Sequence, residues 1–203
     1  MIPSGRYSVH AHKSRTARFF SLTTAWRVDG PDGRPCFYAK SDASETDAFA
    51  DEAETVHLLH AKRVRGASCE SDLVKDWHDG NYGKFDLWHV YDASTRAWIG
   101  AFTEPLQRTT PKLTRLVRPD GCFDGSIIDD DAAGLLGTLA GTPISLHLRS
   151  GRGASLGDGV RPGGVLLSSS TCYLDILPGA YAIWEPRFLV FAFAAFARAA
   201  FEG

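Results

Sequence analysis

The last eighteen residues, PRFLVFAFAAFARAAFEG (186–203), constrain the fold of this chain more than any other stretch. Pro186 suits the first turn of a helix and Gly203 suits its end. From Phe188 to Phe201 the only polar side chain is Arg198. At about 100° per residue the phenylalanines lie all round such a helix, which leaves it no face for water. They are Phe188, Phe191, Phe193, Phe196 and Phe201.

A helix over 186–201 therefore has to be covered on every side. The apolar run of 14 residues, 188–201, would span about 21 Å at 1.5 Å per residue, less than the ~30 Å hydrocarbon core of a bilayer. A helix at an oligomer interface would keep one polar stripe, and this helix has none. We therefore expect no transmembrane span and place the helix at the centre of its own domain, with a membrane tail anchor as the alternative.

The rest of the chain has the pattern of the wall that such a helix requires. Short alternating runs are separated by turn signals, which is typical of an all-β barrel or sandwich. The hairpin candidates are AWRVDGPDGRPCFYAK (25–40), DLWHVYDASTRAWIGAF (86–102), TRLVRPDGCFDGSIID (114–129) and ISLHLRSGRGASLGDG (144–159), followed by the extended stretch GGVLLSSSTCYLDI (163–176). Because a helix is about 10–12 Å across, the barrel must be wider than one of eight strands. The sequence predicts a mainly β fold, a closed barrel of about 12 antiparallel strands around the C-terminal helix, as a single domain over 1–203.

One segment, SDASETDAFADEAETVHLLHAK (41–62), has two interpretations. Ser44 followed by Asp47 resembles a capping box, and apolar residues recur at helical spacing from Phe49 to His60, which favours a helix. Within a barrel the same segment would be a hairpin that turns near Ala53 and Glu54.

Composition narrows the class of protein. A net charge of −2 and an isoelectric point near 6.4 give no general attraction to nucleic acid. The four cysteines, Cys36, Cys69, Cys122 and Cys172, form no C-x-x-C pair and no disulfide-scaffold spacing. The first residues lack the apolar core of a secretory signal. We therefore expect a cytoplasmic protein.

The clearest candidate binding site is a basic cluster with no acid between Glu104 and Asp120. It consists of Arg108, Lys112, Arg115 and Arg118. Arginine forks match phosphate oxygens in two-point contacts, so this cluster is a candidate site for a phosphate group. The alternative is an ordinary exposed face of the barrel.

A second candidate is the segment GASCESDLVKDWHDGNYGKF (66–85). Its aromatic residues Trp77, His78 and Tyr82 suggest an interaction loop, because aromatic side chains on loops often anchor partners. A local packing lid is the equal alternative.

We expect no metal, no cofactor and no catalytic constellation. His57 and His60 are separated by two residues, but a third ligand is missing from the local sequence. The acidic triplet 129–131 lacks the spaced ligands of a calcium loop and is expected to be a solvated turn. The glycine-rich stretch 151–164 matches no phosphate-binding loop and is expected to be a flexible hairpin tip. No nucleophile lies in a recognisable elbow, which indicates a protein that is not an enzyme.

The succession of hairpins closed by YAIWEPRFLVFAFAAFARAAFEG resembles the LURP-one-related proteins of the tubby C-terminal-like group, which also contains the phospholipid scramblases. The matching positions are Asp29, Gly30 and Gly33 in the first hairpin, Val90, Tyr91, Asp92, Thr95, Ile99 and Gly100 in the second, Leu116, Asp120 and Gly121 in the third, and Pro186, Arg187, Phe188, Leu189, Ala192, Glu202 and Gly203 in the tail. The chain departs from the family in the insert 66–85 and in the third hairpin, where Thr114, Arg115 and Leu116 stand in place of the usual tryptophan.

The resemblance implies a barrel of about twelve strands around the C-terminal helix and a hairpin over 42–62. Family members with known binding hold phosphoinositides through basic residues on the barrel exterior. The expected function is a non-enzymatic binding module for anionic phospholipid or a phosphorylated ligand, at the membrane surface in the cytoplasm. The alternative is a protein-interaction scaffold without a lipid role, with the insert 66–85 as its contact.

Overall fold

The structure, a computed structural model, describes residues 2–12, 24–42, 44–64, 86–103, 113–130, 143–161 and 171–199. These residues form twelve strands and one α-helix. The strands are β1 (Gly5–His12), β2 (Thr24–Asp29), β3 (Pro35–Ser41), β4 (Glu45–Phe49), β5 (His57–Val64), β6 (Leu87–Asp92), β7 (Trp98–Thr103), β8 (Leu113–Val117), β9 (Phe123–Asp130), β10 (Ile144–Ser150), β11 (Ser155–Arg161) and β12 (Thr171–Ile176). A 3-10 helix (Pro178–Ala182) leads into the helix α1 (Pro186–Ala199).

The strands close into a barrel in the simplest order. Each strand pairs antiparallel with its neighbour in the chain, and β12 returns to pair with β1. Closure removes the free sheet edges, whose unpaired backbone groups would otherwise invite aggregation. The predicted closed barrel of about 12 strands is confirmed.

The segment 41–62 is a hairpin and not a helix. Its two strands, β4 and β5, pair antiparallel, and the connecting turn holds Glu54 at a positive φ of 60°. Buried side chains alternate along both strands, with Thr46 and Ala48 on one and Leu59 and Ala61 on the other. The helical spacing was misleading because, in the barrel wall, every second residue of these strands is buried against the core.

Helix α1 lies inside the barrel, as predicted. Phe188, Phe191, Phe193 and Phe196 are all buried. The ring of Phe191 packs 5.7 Å from Trp26 and 6.2 Å from Phe37, centroid to centroid, so wall and helix share one core. Among the described residues no helix is long and apolar enough to cross a membrane. Phe201 and residues 200–203 lie outside the described ranges.

Two glycines let the wall approach the helix closely. A Cβ on Gly159 in β11 would stand 3.2 Å from the ring of Phe193, and one on Gly100 in β7 would stand 3.0 Å from Phe188. Gly100 also has a φ of 147°, which L side chains rarely adopt. Only part of the glycine-rich stretch 151–164 is the flexible hairpin tip that the sequence predicted. Residues 151–154 form the turn, whereas Ser155–Arg161 is strand β11.

The acidic triplet 129–131 also differs from the expected solvated turn. Asp129 lies within strand β9 and is 1% exposed. Strand β9 continues through Asp130 because its ladder with β10 extends to the pair of Asp130 and Ser145.

Candidate functional site

A row of polar side chains crosses four adjacent strands on the outside of the barrel. Lys40 of β3 pairs with Asp47 of β4, Asp47 with His60 of β5, and His60 with Tyr91 of β6. Each is half-buried, and the residues flanking Asp47 and His60 on their strands are buried. Because the strands alternate, these four side chains share the outer face.

A bulge in β5 brings a second histidine to this face. His57 and His60 are three residues apart, and in a regular strand they would point to opposite sides of the sheet. The ladder with β4 shifts by one residue between Leu59 and His57, which leaves Leu58 as the extra residue. Leu58 packs against the core, and His57 returns to the outside, where its ring stacks on Phe49 at 5.0 Å.

Asp47 lies between the two imidazoles. Its Oδ1 is 2.9 Å from Nε2 of His57 and 2.8 Å from Nδ1 of His60. The three side chains are between 32% and 40% exposed, so the group is open to solvent on one side. In the described part of the chain this is the one set of three His, Cys, Asp or Glu side chains close enough together to share an ion.

The sequence pointed to His57 and His60 but not to Asp47. Asp47 stands ten residues before His57, and its approach depends on the register of the β4–β5 hairpin. The expectation of no third ligand rested on local spacing, whereas the fold places the carboxylate of Asp47 beside both imidazoles. The only sequence signal for it was the hairpin interpretation of 41–62, which places Asp47 on the strand facing His60.

A surface pocket opens beside this group. Its volume is about 450 Å³. It is lined by His57, His60, Tyr91, Asp92, Ala93 and Arg96, and we call it the outer pocket. Arg96 lies in the β6–β7 turn at a φ of 58°, and its guanidinium forms no ion pair with any residue in the described ranges.

The turn that carries Arg96 is held in place by Asp92. Oδ1 of Asp92 accepts hydrogen bonds from the hydroxyls and the backbone N–H groups of Ser94 and Thr95, at 2.7–3.0 Å. Oδ2 accepts a bond of 2.7 Å from Arg187, at the start of α1. The Ser94 hydroxyl, the Thr95 N–H and Arg187 together hold the pKa of Asp92 well below its usual range, because they stabilise the carboxylate.

Arg187 also bonds Glu185 at 2.7 Å, so the β6–β7 turn is tied to the buried helix through an ion-paired network. Asp92, which belongs to this network, also lines the outer pocket. The backbone of the turn that carries Arg96 is therefore fixed by the fold, whereas the Arg96 side chain is exposed.

The structure places only half of the predicted basic cluster. Arg115 is exposed on β8, whereas Arg118 is ion-paired with Asp120 at 2.6 Å and with Asp124 at 3.1 Å. Arg108 and Lys112 lie outside the described residues. Within the described ranges, Arg118 is already committed to carboxylates, so the cluster stays a prediction that depends on Arg108 and Lys112.

The predicted interaction loop lies entirely outside the described ranges, with Trp77, His78 and Tyr82 in it. Strand β6 begins at Leu87, two residues after the end of this segment. The proposal of an interaction loop thus remains a sequence-based prediction.

Two further histidines each have one carboxylate neighbour. His10 lies 3.2 Å from Asp29 through Nε2 and 3.0 Å from the Thr171 hydroxyl through Nδ1. His147 lies 2.7 Å from Asp158. Neither pair gains a third metal-ligating side chain among the described residues, which sets them apart from the group around Asp47.

Compared with models of known families, with curated proteins and with solved structures, the chain matches none of them.

Proposed function

We propose that this protein is a non-enzymatic binding module that holds a phosphate-bearing anion in the outer pocket. The observation that carries the proposal is Arg96, a guanidinium with no carboxylate partner in the described ranges, at the edge of a pocket of about 450 Å³. Pockets that bind small ligands have volumes of about 300–1,000 Å³. A phosphate group matches the guanidinium in both charge and two-point geometry.

The other pocket residues fit the same ligand. His57 turns Nε2 toward Asp47 and toward the carbonyl oxygen of Leu59 at 2.8 Å, and His60 turns Nδ1 toward Asp47. The second ring nitrogen of each has no hydrogen-bond partner among the described residues. Asp92 lines the pocket, but its charge is compensated by Arg187 at 2.7 Å. Asp47 is not among the described lining residues, although it contacts both lining imidazoles. Among the described lining residues, Arg96 is the one lysine or arginine.

The closed interior supports a site on the outside. Helix α1 fills the barrel, and its residues from Phe188 to Ala194 are buried without exposed surface. A small ligand inside the barrel would have to displace this helix, at the cost of its large apolar contact area. The outer surface is the face on which ligands can bind without unfolding the core.

The resemblance to LURP-one-related proteins is part of this proposal. The twelve strands around a central helix and the matching turn residues are what support the kinship, together with the outward position of the candidate site. The resemblance favours a phospholipid headgroup as the source of the phosphate. A soluble phosphate ester has the same chemistry and is the other source.

Vesicle sedimentation at low salt separates these sources, because electrostatic binding is strongest there. The protein is spun with neutral phosphatidylcholine vesicles, with vesicles that also contain a phosphoinositide, and with the matching soluble inositol phosphate as competitor. The test variant is Arg96→Asn, since asparagine tolerates a positive φ. The matched control is Arg152→Asn, which removes an equally exposed turn arginine between β10 and β11.

We expect binding to phosphoinositide vesicles, and about 10–100-fold weaker binding for Arg96→Asn, the cost of one charged hydrogen-bonding group. Arg152→Asn should bind like the wild type. Competition by the soluble ester with no vesicle binding would assign the site to a soluble ligand. Equal recovery of the wild type in every supernatant, with no ester binding, would refute the proposal. If binding were lost only in the double variant Arg108→Gln/Lys112→Gln, the site would be the basic cluster and not the outer pocket.

A further inference from the structure

We infer that Asp47, His57 and His60 form a binding site for a divalent transition-metal ion, with the open side of the ion facing the outer pocket. The site goes beyond phosphate binding, and its donor atoms are present whether or not an anion binds. It rests on the convergence of three side chains from two strands onto one point of the outer face.

The donor set has the chemistry of a transition-metal site. Two imidazole nitrogens and one carboxylate oxygen are the ligands that Zn²⁺ and its neighbours in the first transition row accept. Hard ions such as Mg²⁺ and Ca²⁺ prefer sites made only of oxygen. The three side chains are therefore selective for an ion of the zinc class.

The distances fit such an ion after a small adjustment. Bonds of about 2.0–2.1 Å in a tetrahedron place neighbouring donor atoms about 3.3 Å apart. The two contacts to Asp47 Oδ1 are 2.8 and 2.9 Å, and all the donor atoms lie within 4.8 Å of one another. The side chains would have to separate by about half an ångström, which rotation about their own bonds supplies.

A bulge in β5 brings the second imidazole to Asp47. If β5 ran as a regular strand through Leu58, without the bulge, His57 would point into the core, and only His60 would remain beside Asp47. The bulge therefore converts one imidazole–carboxylate pair into a set of three ligands. His147 and Asp158 on β10 and β11 show the ordinary pair, at 2.7 Å and with no third member in the described ranges.

Three protein ligands leave a coordination position open. Because His57 and His60 line the outer pocket, that position faces solvent on the side of Arg96. Sites that keep an open position bind an exchangeable water or an anion there, in contrast to closed structural sites with four protein ligands. The ion would be exchangeable and would not be required for folding.

The test is titration of the full chain with Co²⁺ and then Zn²⁺ in a phosphate-free buffer under reducing conditions. Visible absorption of Co²⁺ reports coordination by nitrogen and oxygen, and a thiolate charge-transfer band would reveal binding to cysteine instead. The variants are Asp47→Asn, His57→Gln and His60→Gln, with His147→Gln as the matched control. Circular dichroism of each variant verifies that it is folded.

We expect one Co²⁺ per chain, displaced by Zn²⁺, with affinity at least about tenfold lower in each of the three ligand variants and unchanged in His147→Gln. If a variant does not fold, the site is located in the wild type instead, from the NMR signals that bound Co²⁺ broadens. The broadened signals should centre on His57 and His60. No binding, a thiolate band, equal binding by all variants, or broadening centred elsewhere would overturn the site. None of these outcomes depends on phosphate binding, so the two proposals fail separately.

Discussion

Replacing Phe193 with alanine tests whether the helix is enclosed by the barrel. Phe193 has no exposed surface, and its ring lies 3.2 Å from the position of a Cβ on Gly159. Burying a phenylalanine removes about 150–250 Å² from water, worth about 4–6 kcal/mol at 25 cal/mol per Å². Phenylalanine-to-alanine changes in cores cost about 3–5 kcal/mol. The wall is closed by hydrogen bonds and cannot collapse into the cavity, so we expect about 4–5 kcal/mol.

The assay is urea unfolding followed by tryptophan fluorescence and circular dichroism. The matched control is Tyr173→Ala, which deletes a ring on the outer side of β12 that is 43% exposed and should cost less than about 1 kcal/mol. A loss of about 4–5 kcal/mol is a large share of a typical stability of 5–15 kcal/mol. If Phe193→Ala cost no more than Tyr173→Ala, the helix would not be enclosed.

Two further changes test the pocket turn and the insert. Asp92→Asn should lower the free energy of unfolding by about 2–4 kcal/mol at pH 7, since the carboxylate accepts several charge-assisted bonds. Because the folded-state pKa of Asp92 is lowered, the carboxylate contributes its stability above about pH 4 and loses it as the pH falls further. In acid, the free energy of unfolding should therefore fall more steeply for the wild type than for Asp92→Asn. Parallel pH profiles of the two proteins would contradict this. Deletion of 70–84 should abolish pull-down of a partner protein and leave the melting temperature nearly unchanged, whereas a large fall in melting temperature would place the insert in the core.

Much of the barrel could be predicted from the sequence because hairpins are encoded locally. The Asp29–Gly30 and Pro119–Gly121 turns fall between alternating runs, and each run became a strand. The enclosure of α1 followed from phenylalanine on every side of one helix. Both inferences need only neighbouring residues, and both are confirmed.

The hairpin of β4 and β5 shows where local pattern fails. Helical spacing from Phe49 to His60 competes with alternation along two short strands, and neighbouring strands decide the outcome. The same reasoning explains the overlooked Asp47, because its place beside His60 is set by strand register and by the bulge at Leu58.

Contacts distant in sequence were also beyond reach. Asp92 and Arg187 are 95 residues apart, and only closure of the barrel around α1 brings them to 2.7 Å. The turn at Asp92 could be predicted, but its link to the helix could not. Likewise, the pairing of Arg118 with Asp124 requires the β8–β9 hairpin to be formed.

The most direct test of the outer pocket as the functional surface is a ¹H–¹⁵N spectrum of the wild-type protein titrated with a soluble inositol phosphate. Saturable shifts should centre on Arg96, Tyr91 and the β5 residues around His57, with Phe193 and the rest of α1 unchanged. Shifts centred on 108–118, or no saturable shift at millimolar ligand, would show that phosphate does not bind there.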